Sequence, residues 1–283
     1  PKTKKSHLYL LEPHRGFHED SLHRNLNGKF QRPKFITNLL LSKGRKNDIK
    51  IVRQFSKNNN TIISGNSSFT SQRIEEVYGI KCDFIHPCVD REEYTDNTQQ
   101  TTNPYIEAKE TEYVVTIGTA NWAKGSMETI SMLSGTDISL VHVGGGSDVE
   151  IKTLQDHAST KKVKLWIAPR LSSEELSVLI QQSLAVVSMA HKEPFGLTPI
   201  EAFSIGTPAI FVDDGGFRDS IIDDECGRLL PRHDYPKWHE ALNQCRDKNL
   251  REKWALAGRN RIIDLQLSPQ DQAEKIHKLF QSQ

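Results

Sequence analysis

Cysteine is scarce in this chain: 4 in 283 residues, at Cys82, Cys88, Cys226 and Cys245. None forms a Cys-x-x-Cys pair and no histidine cluster has zinc spacing, which excludes a disulfide framework and a structural zinc site. The reading is four reduced thiols in a cytosolic protein. An excess of charge of one sign is also missing: 37 Lys and Arg stand against 36 Asp and Glu, a formal charge of +1. No nucleic acid is expected as a partner, since that affinity rests on neutralising phosphates. No run approaches the ~18 apolar residues of a membrane span; the longest, residues 176–190, is cut by Gln181, Gln182 and Ser183. The basic opening at Lys2 to Lys5 leads into an apolar stretch that stops at Glu12, too short for an export signal. No repeat with a period of ~20–50 residues is present. What remains is 36% apolar and 26% charged, the composition of a globular protein with a real core, at a length near two domains.

A polar, aperiodic stretch at 96–112 reads as a linker or long loop. Beyond it, Val- and Ile-rich runs at 113–117, 138–143, 163–167, 184–189 and 209–212 alternate with helix-length segments. Their unbroken apolar character predicts strands buried on both faces, hence a parallel sheet covered by helices. That is a doubly wound α/β domain. Before the linker, 6–11, 61–64 and 82–85 read as short strands, 32–55 as one or two helices, and 69–78 as a helix ending at Gly79. These make part of a second α/β domain. From 235 to 281 the period is helical, with Ser268 and Pro269 as a restart. The expected division is a partial N-terminal domain with linker over 1–105, a Rossmann-like domain over 106–267 and a terminal helix over 268–283.

Ligands of a parallel sheet bind beyond the carboxyl ends of its strands. After 184–189 comes Glu193-Pro194-Phe195-Gly196-Leu197-Thr198-Pro199-Ile200-Glu201. Thr198 as N-cap, Pro199 at the first helical position and Glu201 three residues past the cap read as a capping box, which would make Glu201 structural. The same helix start beside Gly196 offers N–H groups and a positive dipole end to an anion. Glu193 caps nothing; with Glu201 it would flank a polyhydroxyl ligand and accept from its hydroxyls. After 113–117 comes Gly118-Thr119-Ala120-Asn121-Trp122-Ala123-Lys124-Gly125. Lys124 opens the next helix, as a phosphate site or as an ordinary surface lysine. Gly144-Gly145-Gly146 departs from Gly-x-Gly-x-x-Gly and reads as a tight turn. Asp213 and Asp214 bring no third ligand, so no metal is expected. Ser172 and Glu175 form a second capping box. His14 and His18, near Glu12 and Asp20, are the one polar cluster able to act as acid or base, against the plainer reading of a solvated loop.

Taken together these segments resemble the family-four retaining glycosyltransferases (group 1 glycosyl transferases) of the GT-B fold. The resemblance rests on Glu193 and Glu201 around Phe195-Gly196-Leu197, on Gly206-Thr207-Pro208 and on Asp214-Gly215-Gly216-Phe217-Arg218-Asp219. Gly118, Lys124-Gly125, Val143-Gly144, Cys226-Gly227-Arg228-Leu229, Asn66-Ser67-Ser68, Tyr78-Gly79 and His86-Pro87 follow in the family's order. The resemblance spans roughly residues 60 to 230. It implies a C-terminal nucleotide-sugar-binding domain beside an incomplete Rossmann-like N-terminal domain, which faces the acceptor. By the same resemblance Glu201 holds the ribose, Lys124 the diphosphate, and Glu193 the sugar being transferred. Gly118, Thr119, Phe195, Gly196, Leu197 and Thr198 line the donor and Ala168 lies by the base, while any catalytic His of the family falls in the part of the first domain that is missing here; His14, from its polar cluster alone, is the candidate acceptor-side acid or base. No cofactor and no metal are required. Two departures stand out. Thr119 occupies the place of a family Arg, a lost ionic contact of about 1.5–3 kcal/mol, and the first domain is shorter than the family's.

The implied activity is metal-independent transfer of a sugar from a UDP- or GDP-linked donor to a glycan, lipid-linked or protein acceptor, with retention. The expected place is the cytoplasm, peripheral to a membrane surface. A partner subunit or homodimer is a further partner reading. The alternative is a non-catalytic module that binds a nucleotide sugar or a partner subunit, motivated by Thr119 and the short first domain. A third reading is another GT-B enzyme, an epimerase or a phosphorylase.

Overall fold

The computed structural model describes residues 5–58, 60–89 and 101–281. The first elements are β1 (Ser6–Leu10), α1 (Arg15–His18), α2 (Lys34–Ser56), β2 (Thr61–Gly65), α3 (Ser68–Tyr78) and β3 (Asp83–Phe84). Then follow β4 (Tyr113–Ile117), α4 (Ser126–Leu133), β5 (Ser139–Val143), α5 (Asp148–Lys161), β6 (Leu165–Ile167), α6 (Ser173–Gln181) and β7 (Ala185–Ser188). The chain ends with α7 (Thr198–Ile205), β8 (Ala209–Val212), α8 (Phe217–Ser220), β9 (Gly227–Leu230), α9 (Tyr235–Gln244), α10 (Lys248–Asp264) and α11 (Pro269–Gln281). Two units result. One joins Pro1–Val89 to Gln266–Gln283; the other is Asp90–Leu265.

The larger unit is the doubly wound α/β domain the apolar runs predict. Its six strands are all parallel, in the order β6-β5-β4-β7-β8-β9. Val114, Val115, Val141, Val186 and Val187 are fully buried, as strands covered on both faces require. The helices that cover them bring Phe203, Trp238 and Trp254, also fully buried. Gly258 brings α10 onto α7, since a Cβ there would lie 2.5 Å from the Phe203 ring. The capping box of α6 forms as expected from Ser172 and Glu175, and Ser147 with Glu150 makes another on α5. Strand β9 was not foreseen. It opens on Gly227, whose Cβ would lie 2.2 Å from the Ala209 carbonyl, and carries Arg228, which pairs with Asp223 at 2.9 Å. A short edge strand with glycine and arginine gives no apolar run to read.

The smaller unit is a parallel sheet in the order β1-β2-β3. Its core gathers Val52, Ile74 and Tyr78, with Leu8, Leu10 and Ile63 packed on them. Helix α3 starts at Ser67, whose side chain accepts from the Thr70 amide, and stops at Gly79 with φ of 69°. The Tyr78 hydroxyl donates to Asp48 at 2.9 Å, and His18 Nε2 meets the same carboxylate at 2.8 Å. Helix α11 restarts where expected, with Ser268 Oγ accepting from the Asp271 amide at 3.1 Å. All four cysteines are free thiols; burial pushes Cys245 up to about 12. Among the described residues no helix is long and apolar enough to cross a membrane.

Candidate functional site

The sheet order of the larger unit sets the site. From β4 the chain winds outward through β5 and β6, then returns to lay β7 on the other side of β4 and winds away through β8 and β9. The reversal falls between β4 and β7, and the crevice beyond the carboxyl ends of such neighbours is where open α/β sheets bind ligands. Two loops flank it: residues 118–125 after β4 and 189–197 after β7.

Lys124 and Glu193 come from these two loops and meet. Lys124 Nζ donates to Glu193 Oε2 at 2.8 Å, with the side chains 32% and 19% exposed. A turn of 3-10 helix at Trp122–Lys124 aims the lysine; Asn121 caps it by accepting from the Lys124 amide at 2.9 Å. Gly118, at φ of +145°, runs beside the lysine stem, so that a Cβ would lie 3.1 Å from it. Gly125 packs α4 against the end of β7: a Cβ there would come within 2.1 Å of the Met189 carbonyl oxygen.

Glycines also fix the second loop. The Gly216 amide donates to the Glu193 carbonyl at 2.7 Å, and a Cβ on Gly216 would meet the Pro194 oxygen at 2.2 Å. Gly215, at φ of +60°, would place a Cβ 2.6 Å from the Glu193 carbonyl oxygen. Gly196, at φ of +82°, sits against the Phe217 ring, with no room for a Cβ. The sequence run Asp-Gly-Gly-Phe after β8 is therefore the mould on which the Glu193 loop is cast.

The expected capping box at α7 does not form. Thr198 is the first helical residue and Leu197 the cap, with no side-chain cap hydrogen bond. Having Pro199 in the second helical place moves the start back by one residue, and the Glu201 amide donates to the Leu197 carbonyl at 3.0 Å. Glu201 lies half-buried on the first turn, Phe195 is buried, and Leu197 and Thr119 are exposed. Ala168 is buried after β6, and its amide is taken by the His142 carbonyl at 2.9 Å. The polar cluster around His14 resolves into separate pairs in the smaller unit. His14 stacks on Phe17, His18 meets Asp48, Glu12 meets Arg15 and Asp20 meets Lys34. Asp213 and Asp214 also part company, to Arg218 and Arg232.

A half-buried charge network under the second loop escaped sequence reasoning. Arg232, just after β9, donates to the carbonyls of Met189 and Ala190, to Asp214 at 2.9 Å and to Glu128 at 3.5 Å. Glu128 also holds His191 Nε2 at 2.8 Å, and the His191 ring stacks on Trp122 at 3.8 Å. The His191 amide donates to the Ala123 carbonyl at 2.7 Å. These contacts join both loops to β9 and α4. Only an unforeseen strand end announces Arg232, so no sequence signal pointed to it.

The family model described as "Glycosyl transferases group 1" matches residues 98–261, more than half of the chain. A D-inositol 3-phosphate glycosyltransferase of Mycobacteroides abscessus is 27% identical over 175 residues, 58% of this chain and 39% of that protein. Its counterpart in Rhodococcus erythropolis is 27% identical over 195 residues, 62% and 44%. The chain thus spans less than half the length of these curated relatives. Among solved structures, HepE of Anabaena in complex with UDP and glucose has a TM-score of 0.69 at 13% identity, covering 84% of this chain and 67% of that one. Sucrose-phosphate synthase from Thermosynechococcus elongatus has a TM-score of 0.68 at 19% identity, covering 84% and 61%. The fold is of the GT-B type that the sequence led us to expect.

Proposed function

The chain belongs to the group 1 glycosyl transferases, and from that premise we propose that its larger unit binds a nucleoside diphosphate sugar whose sugar is transferred with retention to a glycan, lipid-linked or protein acceptor. One observation carries the reading: Lys124 and Glu193, 69 residues apart, meet at 2.8 Å across the reversal of the sheet. Until a donor arrives, each charge neutralises the other. A diphosphate takes the ammonium, and Glu193 is then left facing the sugar. As the bond from the anomeric carbon to the diphosphate breaks, negative charge grows on the leaving oxygens and positive charge on the sugar. Lys124 and the helix-start amides stabilise the first, and the carboxylate the second. The acceptor oxygen forms the new bond to the anomeric carbon and passes its proton to the departing diphosphate oxygen, which keeps the electron pair of the broken bond. This donor set meets the diphosphate charge without a metal, and the nucleotide sugar is a substrate, so no cofactor is assigned. Glu201 is proposed for the ribose, Gly118, Thr119, Phe195, Gly196, Leu197 and Thr198 for the phosphates and sugar, and Ala168, through its carbonyl, for the base.

The test begins with thermal stabilisation by UDP-, GDP- and ADP-sugars, where a donor at 100 times its dissociation constant adds about 2.7 kcal/mol. Lys124→Ala is expected to weaken the binding donor about 10- to 100-fold, the worth of a charged hydrogen bond. Glu193→Gln should bind the donor nearly as well and lose transfer. Wild-type transfer rates in both variants would overturn the assignment. Donor binding by the wild-type protein, with no transfer to any acceptor class, would favour the non-catalytic reading that the exposed Thr119 suggests.

A further inference from the structure

Of the contacts between the two loops of the site, one is the Lys124–Glu193 pair at 2.8 Å. Two others run through His191: its amide donates to the Ala123 carbonyl at 2.7 Å, and its ring stacks on Trp122 at 3.8 Å. A diphosphate that takes the Lys124 ammonium undoes the first contact just when Glu193 has to be aimed. Whatever aims Glu193 through the reaction must therefore act without that pair of charges. His191 is itself anchored. Its Nε2 meets Glu128 at 2.8 Å, on the first turn of α4 and so directly after the Lys124 loop. Arg232 donates to the same carboxylate at 3.5 Å, to Asp214 at 2.9 Å, and to the carbonyls of Met189 and Ala190. One guanidinium thus reaches α4, the end of β7 and the loop after β8. A planar fork of donors can do that, and a single ammonium cannot span it. The side chains of Glu128, His191 and Arg232 are 25%, 14% and 13% exposed, so their charges act in a lowered dielectric. Between His191 and Glu193 stands Lys192, with φ of +50°, a left-handed bend that a lysine keeps only where its surroundings hold it. Beyond Glu193 the loop rests on Gly215 and Gly216. The carboxylate is gripped from both sides, by the glycines after it and by this brace before it.

We propose, on the footing of the nucleotide-sugar site argued above, that Glu128 and Arg232 are positioning residues: they hold the Glu193 loop to the Lys124 loop independently of the Lys124–Glu193 pair. They thereby keep Glu193 aimed once a diphosphate has taken the lysine. The two grips divide the work. The helix-start amides at 195–197 lie on the glycine side and meet the phosphates with or without the brace. The side before Glu193 decides where the carboxylate points. Without the brace, Lys192 relaxes toward an ordinary backbone conformation and the carboxylate swings, so that transfer suffers and donor affinity does not.

Two measurements on the full chain test this. The first, hydrogen–deuterium exchange read by mass spectrometry over 118–125 and 189–193, needs no donor. Lys124→Ala should exchange within about threefold of the wild type, and Glu128→Ala about tenfold faster or more. The second sets steady-state transfer beside calorimetric donor binding. Glu128→Ala should lose about 100-fold in kcat, with its donor dissociation constant within about threefold of the wild type. Glu128→Gln keeps an oxygen toward the His191 ring and should recover about tenfold of that loss. Arg232→Lys should lose about tenfold in kcat or more, its point charge leaving part of the network unmet. Exchange in Glu128→Ala no faster than in the wild type, or slower than in Lys124→Ala, would overturn the proposal, because the ion pair would then be the tie. So would wild-type kcat in Glu128→Ala or Arg232→Lys, or equal losses of kcat and affinity, the mark of a general loosening. A wild-type protein that binds or transfers no nucleotide sugar would overturn the transferase reading alone, and the exchange rates would then decide for or against the brace by themselves.

Discussion

The two units handle their apolar residues in opposite ways. In the larger one, Val114, Val115, Val141, Val186 and Val187 vanish into a sheet covered on both faces, and Phe203, Trp238 and Trp254 seal the helices onto it. In the smaller one, α2, the longest helix among the described residues, buries one residue and turns Phe35, Leu39 and Leu40 outward. A site that must hold two loops within hydrogen-bond reach of each other needs a rigid base. The contrast is measurable as the cost of deleting a buried side chain. Phe203→Ala leaves a hole between α7 and α10 and should cost about 3–5 kcal/mol. Ile74→Ala in the smaller unit removes an equally buried side chain from a cluster with only Val52 and Tyr78 as buried neighbours, so its cost should fall near 2 kcal/mol, the low end for such a deletion. Denaturant titrations followed by circular dichroism compare the two. Tryptophan fluorescence follows the larger unit alone, because Trp122, Trp166, Trp238 and Trp254 all belong to it. A larger cost at Ile74 would break the contrast.

Within the larger unit, the loops divide the same way, into moulded and open. Gly216 has an ordinary backbone conformation, with φ of −75° and ψ of −3°, so alanine is barred by crowding alone. Its methyl would overlap the Pro194 carbonyl and push the Glu193 loop off its seat. Gly145, at φ of +63°, has nothing within 4 Å of a built Cβ, so alanine pays only for the left-handed backbone. Gly216→Ala should cost about 1–3 kcal/mol, as overpacking does, and weaken nucleotide-sugar binding at least tenfold, since a shift of this size misaligns the carboxylate. Gly145→Ala should cost about 1 kcal/mol and leave binding as it was. Calorimetric titration with the donor, beside melting curves, separates these outcomes; equal losses of affinity would show that the loop after β5 is part of the mould.

Much of the larger unit could be read from sequence because a strand buried on both faces writes itself as an unbroken apolar run. Strands β4 and β8 fall on the predicted residues, and β5, β6 and β7 within two of them. Strand β9 could not be read that way, for its Gly227 and Arg228 answer to the Ala209 backbone and to Asp223 instead of to a core. Missing β9 meant missing Arg232, whose function as a clamp exists only once the chain is folded. The Thr198 cap failed for a local reason: two residue types suited to a helix start stood side by side, and Leu197 took the cap. Lys124 and Glu193 were each visible as residues after a strand, but that they touch depends on β4 and β7 being neighbours, and strand order is not written in periodicity. The exposed strip of α2 escaped because a helical period of apolar residues ordinarily marks a face turned to the core.

Two histidines, one buried and one half-buried, give the finest probe of the contrast. His142, on β5, is 1% exposed, and its Nε2 has no hydrogen-bond partner among the described residues. Burial pushes its pKa below the ordinary value, against a smaller upward pull from a hydrogen bond with the Gly145 backbone. His7, on β1, is lowered by burial too, but its Nε2 is paired with Ser64 Oγ at 2.8 Å. When a folded imidazole titrates below its unfolded value near 6.5, the unfolded chain binds the extra proton in between. Stability therefore rises with pH across that window, and falls as pH drops below about 6.5. The slope is at most about 1.4 kcal/mol per pH unit per group. In His142→Leu the orphaned nitrogen is gone and the packing stays apolar, so the protein should be no less stable at pH 7 and should outlast the wild type by a margin that widens toward pH 5. His7→Leu loses a hydrogen bond from a half-exposed site, and solvent screening should leave its margin much smaller. Unfolding midpoints at pH 5, 6 and 7, with far-UV circular dichroism as the signal, measure both. A margin for His142→Leu that stays flat over this range would mean the buried imidazole is protonated without strain, and that the larger unit is less tightly closed around β5 than its valines suggest.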